Sequence, residues 1–150
     1  MASPRIEHYS RTVENPKAVC DFFSKYFGFK LILERKAIEI PYFRQIIGYP
    51  DSTVDLYLME NDYGFQLEFF EFIRPKGTKQ DLLTCNPGST HLCFIVDDIF
   101  AIVEEMKRDG LGMRSQEPVY IDKGIHEGCY SIYILDPENT IIEMIQFPKP

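Results

Sequence analysis

The feature that most constrains the fold of this chain is one pattern that occurs in both halves of it. His8 and His91 each lie in a segment that favours a β-strand, and each is followed seven residues later by a residue suited to start a helix, Asn15 or Asp98. Two further strand-like segments, residues 65–72 and 140–147, align with each other near the ends of the halves. A repeat of this size is typical of two supersecondary units packed against each other.

Each half also predicts one helix directly after its first strand. Apolar side chains recur at helical spacing over residues 18–27, after Asn15 and Pro16 and before Gly28. Asn is a common N-cap, Pro fits the first helical turn, and Gly commonly ends a helix. In the second half, the run 99–108 follows two aspartates that can cap it.

The other apolar segments are typical of β-strands with turns between them. In the first half they cover residues 5–13, 31–35, 38–47, 54–59 and 65–72, although Pro41 interrupts the third. In the second half they cover the segment around His91, a polar extended segment at 113–120, and residues 129–135 and 140–147. Both halves therefore predict the order β-α-β-β-β, and the fold class is α+β.

Residues 74–89 break the pattern and predict a linker. The segment carries two prolines and two glycines among polar residues, at Pro75, Gly77, Pro87 and Gly88. We therefore expect a first module at residues 1–73, a linker at 74–89 and a second module at 90–150. From His8 to Glu68 is 60 residues and from His91 to Glu143 is 52, and the longer middle segment at 42–52 accounts for the difference.

One histidine and one glutamate in each half are the candidate functional residues. Side chains alternate along a strand, so His91 and Glu143 are predicted on the sheet face away from the helix, and His8 and Glu68 correspond to them. A lone His91 in an apolar strand would more often be a core histidine with its hydrogen bonds satisfied, but the repeat favours a metal ligand. Glu71 is the rival of Glu68 and falls on the opposite face, so register favours Glu68.

If the two sheets curve towards each other, these four side chains converge. Two imidazoles and two carboxylates make a suitable ligand set for a divalent metal such as Zn²⁺, Ni²⁺, Co²⁺, Fe²⁺ or Mn²⁺. A carboxylate in an apolar strand would otherwise be costly to bury. The sequence therefore predicts a metal site made by His8, Glu68, His91 and Glu143.

Charge and cysteine content limit the partners and the compartment. A net charge of −7 disfavours nucleic acid and anionic membranes as partners, and no apolar run is long enough to span a bilayer. The first residues lack the apolar core of a secretory signal. Four widely spaced cysteines without a CxxC pair favour reduced thiols in a cytoplasmic protein.

Other side chains are weaker candidates for the lining of a substrate pocket. Gln66 falls on the Glu68 face, and Lys123, His126 and Glu127 lie in a predicted loop at 121–128 that is either a lid or an ordinary solvated loop. The remaining candidates are Arg44, Tyr120 and Tyr130. Cys93 shares the His91 face, where we expect a small buried hydrophobe.

Two segments carry a resemblance to a known superfamily. They are Thr90-His91-Leu92-Cys93-Phe94-Ile95-Val96-Asp97-Asp98 and residues 133–143, which run from the end of one predicted strand through a turn into the strand with Glu143. With the duplicated β-α-β-β-β order, the chain resembles the vicinal oxygen chelate superfamily over nearly its whole length. That superfamily includes glyoxalase I, methylmalonyl-CoA epimerase, extradiol dioxygenases, fosfomycin-resistance enzymes and metal-free bleomycin-binding proteins.

The resemblance implies a curved mixed-sheet cup, closed within one chain or across a homodimer, with His8, Glu68, His91 and Glu143 as metal ligands. It implies an isomerase, lyase or epimerase of the glyoxalase I (lactoylglutathione lyase) type, in which Glu68 or Glu143 moves a proton of a small carbonyl substrate. One alternative is an Fe(II) ring-cleaving dioxygenase, which needs two histidines and only one carboxylate. The other is a metal-free binding or resistance protein.

Overall fold

The computed structural model describes residues 3–149, and the chain divides into two compact units between Lys79 and Gln80. We refer to them as unit 1 and unit 2. Unit 1 contains β1 (His8–Thr12), α1 (Pro16–Phe27), β2 (Lys30–Ile38), α2 (Pro41–Ile47), β3 (Thr53–Glu60) and β4 (Gln66–Arg74). Unit 2 contains β5 (Leu92–Ile95), α3 (Ile99–Arg108), β6 (Val119–Tyr120), β7 (Tyr130–Leu135) and β8 (Ile141–Gln146).

Each unit folds one mixed sheet of four strands. The strand order is β1-β4-β3-β2 in unit 1 and β5-β8-β7-β6 in unit 2. In both sheets the first strand runs parallel to the last, and the other neighbours are antiparallel. The predicted α+β class with two β-α-β-β-β modules is therefore confirmed, and unit 1 carries one additional short helix.

The first helix of unit 1 starts and ends where the sequence predicts. The side chain of Asn15 accepts a hydrogen bond from the backbone N–H of Ala18 at 3.1 Å, and Gly28 ends the helix with φ at 68°. That left-handed conformation is one that glycine adopts at little cost. Phe23 on the buried face of α1 stacks on Phe69 of β4 with 5.5 Å between ring centroids. The helix therefore covers one face of the sheet.

The helix of unit 2 is positioned in the same way. Asp98 accepts a hydrogen bond from the N–H of Ala101 at 3.0 Å, and α3 buries Ile99, Val103 and Met106. A second hydrogen bond links the start of α3 to the last strand: the side-chain oxygen of Gln146 accepts it from the backbone N–H of Ile99 at 2.7 Å. One face of the sheet is thus fixed under the helix, and the other face is left to carry polar groups.

Three local predictions need correction. The apolar segment 38–47 is not extended throughout, because Pro41 begins the helix α2 and Gly48 ends it at a φ of 75°. Helix α2 has no buried residue, so the apolar periodicity that marks a packed helix is missing there. Of the extended segment 113–120, only Val119–Tyr120 forms a strand, with an isolated bridge from Met113. Cys93 is exposed rather than buried.

The four cysteines are free in the structure. Among residues 3–149, no helix combines the length and the apolar character that a membrane crossing needs.

Candidate functional site

His8 and Glu68 form a pair on the face of the unit 1 sheet that α1 does not cover. Strands β1 and β4 are parallel and place Ser10 opposite Glu68, so His8 lies two residues before the partner of the glutamate. The His8 Nε2 and a carboxylate oxygen of Glu68 are 3.4 Å apart. The carboxylate side chain is 16% exposed and the imidazole 38%, so the carboxylate is the more buried of the two.

His91 and Glu143 form the corresponding pair in unit 2. Here Cys93 lies opposite Glu143 in the parallel pairing of β5 and β8, and His91 again lies two residues before that partner. The His91 Nε2 and the Oε2 of Glu143 are 3.2 Å apart. His91 itself immediately precedes β5 rather than lying inside the strand. The repeat seen in the sequence is therefore a repeat of strand register as well.

The donor atoms of each pair suit a divalent metal. In both pairs the Nε2 atom faces the carboxylate, at 3.4 Å in unit 1 and 3.2 Å in unit 2. Two donors bound to one zinc-sized ion at about 2.1 Å lie about 3.0 to 3.4 Å apart, so the spacing fits shared ligation. Among residues 3–149, no three His, Cys, Asp or Glu side chains are grouped closely enough to hold a metal ion. Each pair alone thus offers two donors.

Polar side chains on neighbouring strands surround Glu143. The hydroxyl of Ser131 on β7 donates a hydrogen bond to Glu143 Oε1 at 2.8 Å, while His91 approaches the other oxygen. Tyr133 lies directly opposite Glu143 in the β7–β8 register, and its hydroxyl oxygen is 3.5 Å from His91 Nε2. The rings of His91 and Tyr133 are 5.0 Å apart between centroids. Glu143 and His91 are thus each in contact with a hydroxyl group of β7.

The charge of Glu143 affects two of these neighbours. Although Cys93 as a whole is exposed, its thiol is partly screened from water, and this desolvation together with the Glu143 carboxylate raises the pKa of Cys93 to about 12. Partial burial and the same carboxylate raise the pKa of the Tyr133 hydroxyl above its ordinary value. Both groups are therefore protonated at neutral pH and can act as hydrogen-bond donors.

The surroundings of Glu68 are different. Leu58 lies opposite Glu68 where Tyr133 lies opposite Glu143. The carboxylate of Glu7 contacts the Nδ1 of His8, so this imidazole meets a carboxylate at each nitrogen. Gln66, the register partner of His8, donates a hydrogen bond to Glu60 at 2.7 Å. Unit 1 therefore orients its histidine from the side away from Glu68 and places an apolar residue of β3, Leu58, opposite the glutamate.

Most of the weaker pocket candidates contact residues other than the two His–Glu pairs. Arg44 on α2 donates to the carbonyl of Ser52 at 2.7 Å and lies 3.6 Å from Glu39. Tyr130 packs on Phe100 of α3, which places it on the helix-bearing face. The Tyr120 ring lies 5.3 Å from the Tyr130 ring, Lys123 lies in the exposed loop 121–128, and the His126 ring lies 6.0 Å from the Phe147 ring.

The rival glutamate Glu71 lies on the other face of β4, as register predicts. It is opposite Asp55 of β3 and 3.4 Å from the ammonium group of Lys76. Sequence reasoning missed two residues, Ser131 and Tyr133. Once β7 is paired with β8, period-two alternation places both on the Glu143 face, so the pairing register is the signal that would have found them.

Comparison with known proteins places the chain among glyoxalase-like folds. A glyoxalase family protein from Bacillus cereus superposes with a TM-score of 0.84 at 19% identity, over 97% of this chain and 95% of that one. The trypanothione-dependent glyoxalase I of Leishmania major gives 0.65 at 16% identity, over 96% and 87%. A glyoxalase I variant from Zea mays gives 0.67 at 18% identity, and the chain spans 46% of that protein. At these identities the likeness shows the fold alone.

Sequence comparison gives a second, independent result. No curated protein sequence matches the chain. The model of the Glyoxalase/Bleomycin resistance protein/Dioxygenase superfamily matches residues 7–130, a range that includes His8, Glu68 and His91 and ends before Glu143. The chain therefore belongs to the glyoxalase/bleomycin resistance protein/dioxygenase superfamily.

Proposed function

We propose that this protein is a divalent-metal-dependent enzyme, an isomerase, lyase or epimerase that acts on a small carbonyl compound. His8, Glu68, His91 and Glu143 are the proposed protein ligands of the metal. The observation that carries the proposal is the duplicated pair, in which a histidine Nε2 lies within 3.4 Å of a glutamate at the same register position of both sheets.

The neighbours of the glutamates support a ligand role. Glu143 lies between Ile141 and Ile145 on its face of β8, and both isoleucines are buried. A carboxylate that is only 20% exposed among apolar side chains is costly unless an opposite charge or hydrogen-bond donors compensate it. The Ser131 hydrogen bond and the His91 imidazole provide part of that compensation for Glu143. A divalent cation would add an opposite charge there, and at Glu68 beside His8.

The chemistry follows from these donor groups. A bound divalent metal supplies a Lewis acid that polarises a carbonyl oxygen and makes the neighbouring carbon more acidic. Glu68 or Glu143 then accepts the proton from that carbon and returns it to a different position. Tyr133, with its hydroxyl 3.5 Å from His91 Nε2, is placed to donate a hydrogen bond to a substrate held beside that imidazole.

Solvent exchange tests the reaction class. Protein loaded in turn with Zn²⁺, Ni²⁺, Co²⁺, Mn²⁺ and Fe²⁺ is incubated in D₂O with a panel of 2-keto compounds, hemithioacetals and thioesters. We expect metal-dependent incorporation of deuterium next to a carbonyl group, and its loss in the Glu68→Gln and Glu143→Gln variants. Uptake of O₂ with catechols by the iron-loaded protein alone would instead establish the ring-cleaving dioxygenase. Ligand binding that survives His91→Ala and metal removal would establish a binding protein.

We further propose that the protein is a cytoplasmic homodimer. The free cysteines support a reducing compartment. Strand β2 is an edge strand that exposes Leu31, Ile32 and Leu33, and exposed sheet edges favour pairing with another chain. Sedimentation equilibrium is expected to give twice the chain mass of 17.5 kDa. A mass of one chain at micromolar concentration would contradict this assembly.

A further inference from the structure

The two His–Glu pairs share their register but differ in what holds the glutamate. Glu143 has a polar partner at each oxygen, because the Ser131 hydroxyl donates a hydrogen bond to Oε1 at 2.8 Å and His91 Nε2 lies 3.2 Å from Oε2. Glu68 has His8 at 3.4 Å from one oxygen. Within residues 3–149, the His8 imidazole is therefore the one polar side chain in contact with the Glu68 carboxylate, whereas Glu143 is contacted by two, Ser131 on β7 and His91 just before β5.

The difference arises at one register position. Ser131 lies opposite Ile145, two residues beyond Glu143 on the same face of the sheet. The equivalent residue of unit 1 is Leu56, which lies opposite Phe70, two residues beyond Glu68. Leucine has no hydroxyl group to donate, so unit 1 lacks this hydrogen bond. The serine is thus a feature of unit 2 and not part of the repeat.

We propose that Ser131 is a positioning residue that fixes the carboxylate of Glu143 for metal binding. This inference rests on the proposed metal-binding function. The serine holds Oε1, and Oε2 is the oxygen that faces His91 Nε2. Glu143 Oε2 and His91 Nε2 are therefore already at the spacing of two atoms that bind one metal ion. Hydrogen-bond partners of metal-ligating carboxylates orient the ligand, and their loss typically costs about 10- to 100-fold in metal affinity.

Metal titration of the full chain tests the proposal. Metal-free wild type, Ser131→Ala and Ser131→Thr are titrated calorimetrically with Zn²⁺ and with Co²⁺, and unfolding is measured in the absence of metal. We expect Ser131→Ala to weaken binding about 10- to 100-fold and Ser131→Thr, which keeps the hydroxyl, to restore most of the affinity. Ser131→Cys, of similar size but with a weak donor, should give an intermediate loss and serves if the alanine variant does not fold.

Ser10→Ala is the matched control. Ser10 is the register partner of Glu68 and lies on the corresponding face of unit 1, so the variant removes a hydroxyl near the other glutamate. We expect its metal affinity to stay within about twofold of wild type. The inference is overturned if Ser131→Ala also binds within about twofold of wild type, if Ser131→Thr fails to restore affinity, or if Ser10→Ala loses as much. A wild type that binds neither metal instead overturns the proposed function.

Discussion

Replacing Asp55 should destabilise unit 1 through one hydrogen bond at an irregularity of the sheet. Asp55 lies on β3, is 8% exposed, and accepts the backbone N–H of Ala37 at 2.7 Å. Ala37 has a φ of 50°, at the point where the β2–β3 register shifts. A non-glycine residue in this conformation is strained by about 1 to 2 kcal/mol, so the bend in β2 needs a compensating contact. Asp55 provides it.

The size of the effect follows from the two partners of the carboxylate. A hydrogen bond to a charged acceptor contributes about 1.5 to 3 kcal/mol. The second partner, Lys36, lies 3.0 Å from Asp55, but its side chain is 53% exposed, so the ion pair adds at most about 1 kcal/mol. Asp55→Ala should therefore lower the free energy of unfolding by about 2 to 4 kcal/mol. Asp55→Asn keeps an acceptor for Ala37 and should lose about half as much.

Urea denaturation followed by circular dichroism measures this change, and Asp62→Ala is the control. Asp62 pairs with Lys30 of the same strand β2 at 2.8 Å, but its side chain is 81% exposed. Removing this solvent-screened surface pair should lower the free energy of unfolding far less than removing Asp55 does. If Asp55→Ala cost no more than Asp62→Ala, the carboxylate would not be what supports the bend at Ala37.

Three other predictions concern the cysteines, the rival glutamates and a helix cap. Burial raises the pKa of Cys20 to about 11 from an ordinary 9.0. The Cys20 thiol therefore ionises at a lower pH in the unfolded chain than in the folded protein, and the free energy of unfolding should fall as pH rises between these two values. Iodoacetamide should label the exposed Cys85 in the folded protein and spare Cys20, as peptide mass mapping would show; equal labelling would contradict its burial. Glu68→Gln should weaken metal binding in calorimetry, and Glu71→Gln should leave it unchanged. The opposite result would show that Glu71, on the other face of β4, is the ligand. Asp98→Ala should cost about 0.5 to 2 kcal/mol in urea denaturation, and no loss would mean that the cap does not stabilise α3.

Local sequence signals were enough to predict the helices α1 and α3 and the strands that hold the glutamates. Asn15 and Asp98 cap their helices through contacts three residues away, so no distant part of the chain is needed to see them. Alternation along single strands likewise separates Glu68 from Glu71. These predictions succeeded because the responsible interactions lie within a few residues of sequence.

Other parts of the structure depend on pairing that a single segment does not reveal. Ser131 reaches Glu143 only because of the β7–β8 register, and Tyr130, one residue earlier, falls on the opposite face against Phe100. Helix α2 was missed because it buries no residue and therefore leaves no apolar period. Pro41 and Gly48 mark the two ends of α2. Proline and glycine also interrupt strands, so these two residues do not distinguish a short helix from a broken strand.

The metal content of variants that each lack one histidine tests the central claim most directly. The chain has three histidines, so three substitutions cover them all. Wild type, His8→Ala, His91→Ala and His126→Ala are loaded with Co²⁺, dialysed and analysed for metal by mass spectrometry. We predict one ion per chain in wild type and in His126→Ala, and a metal content far below one ion per chain in both His8→Ala and His91→Ala. Each of the last two variants loses a direct ligand, and the loss of even a residue that only orients a ligand lowers metal affinity about 10- to 100-fold. Wild-type protein without metal, or with an ion that survives both of these substitutions, would contradict the claim that the two His–Glu pairs are the metal ligands.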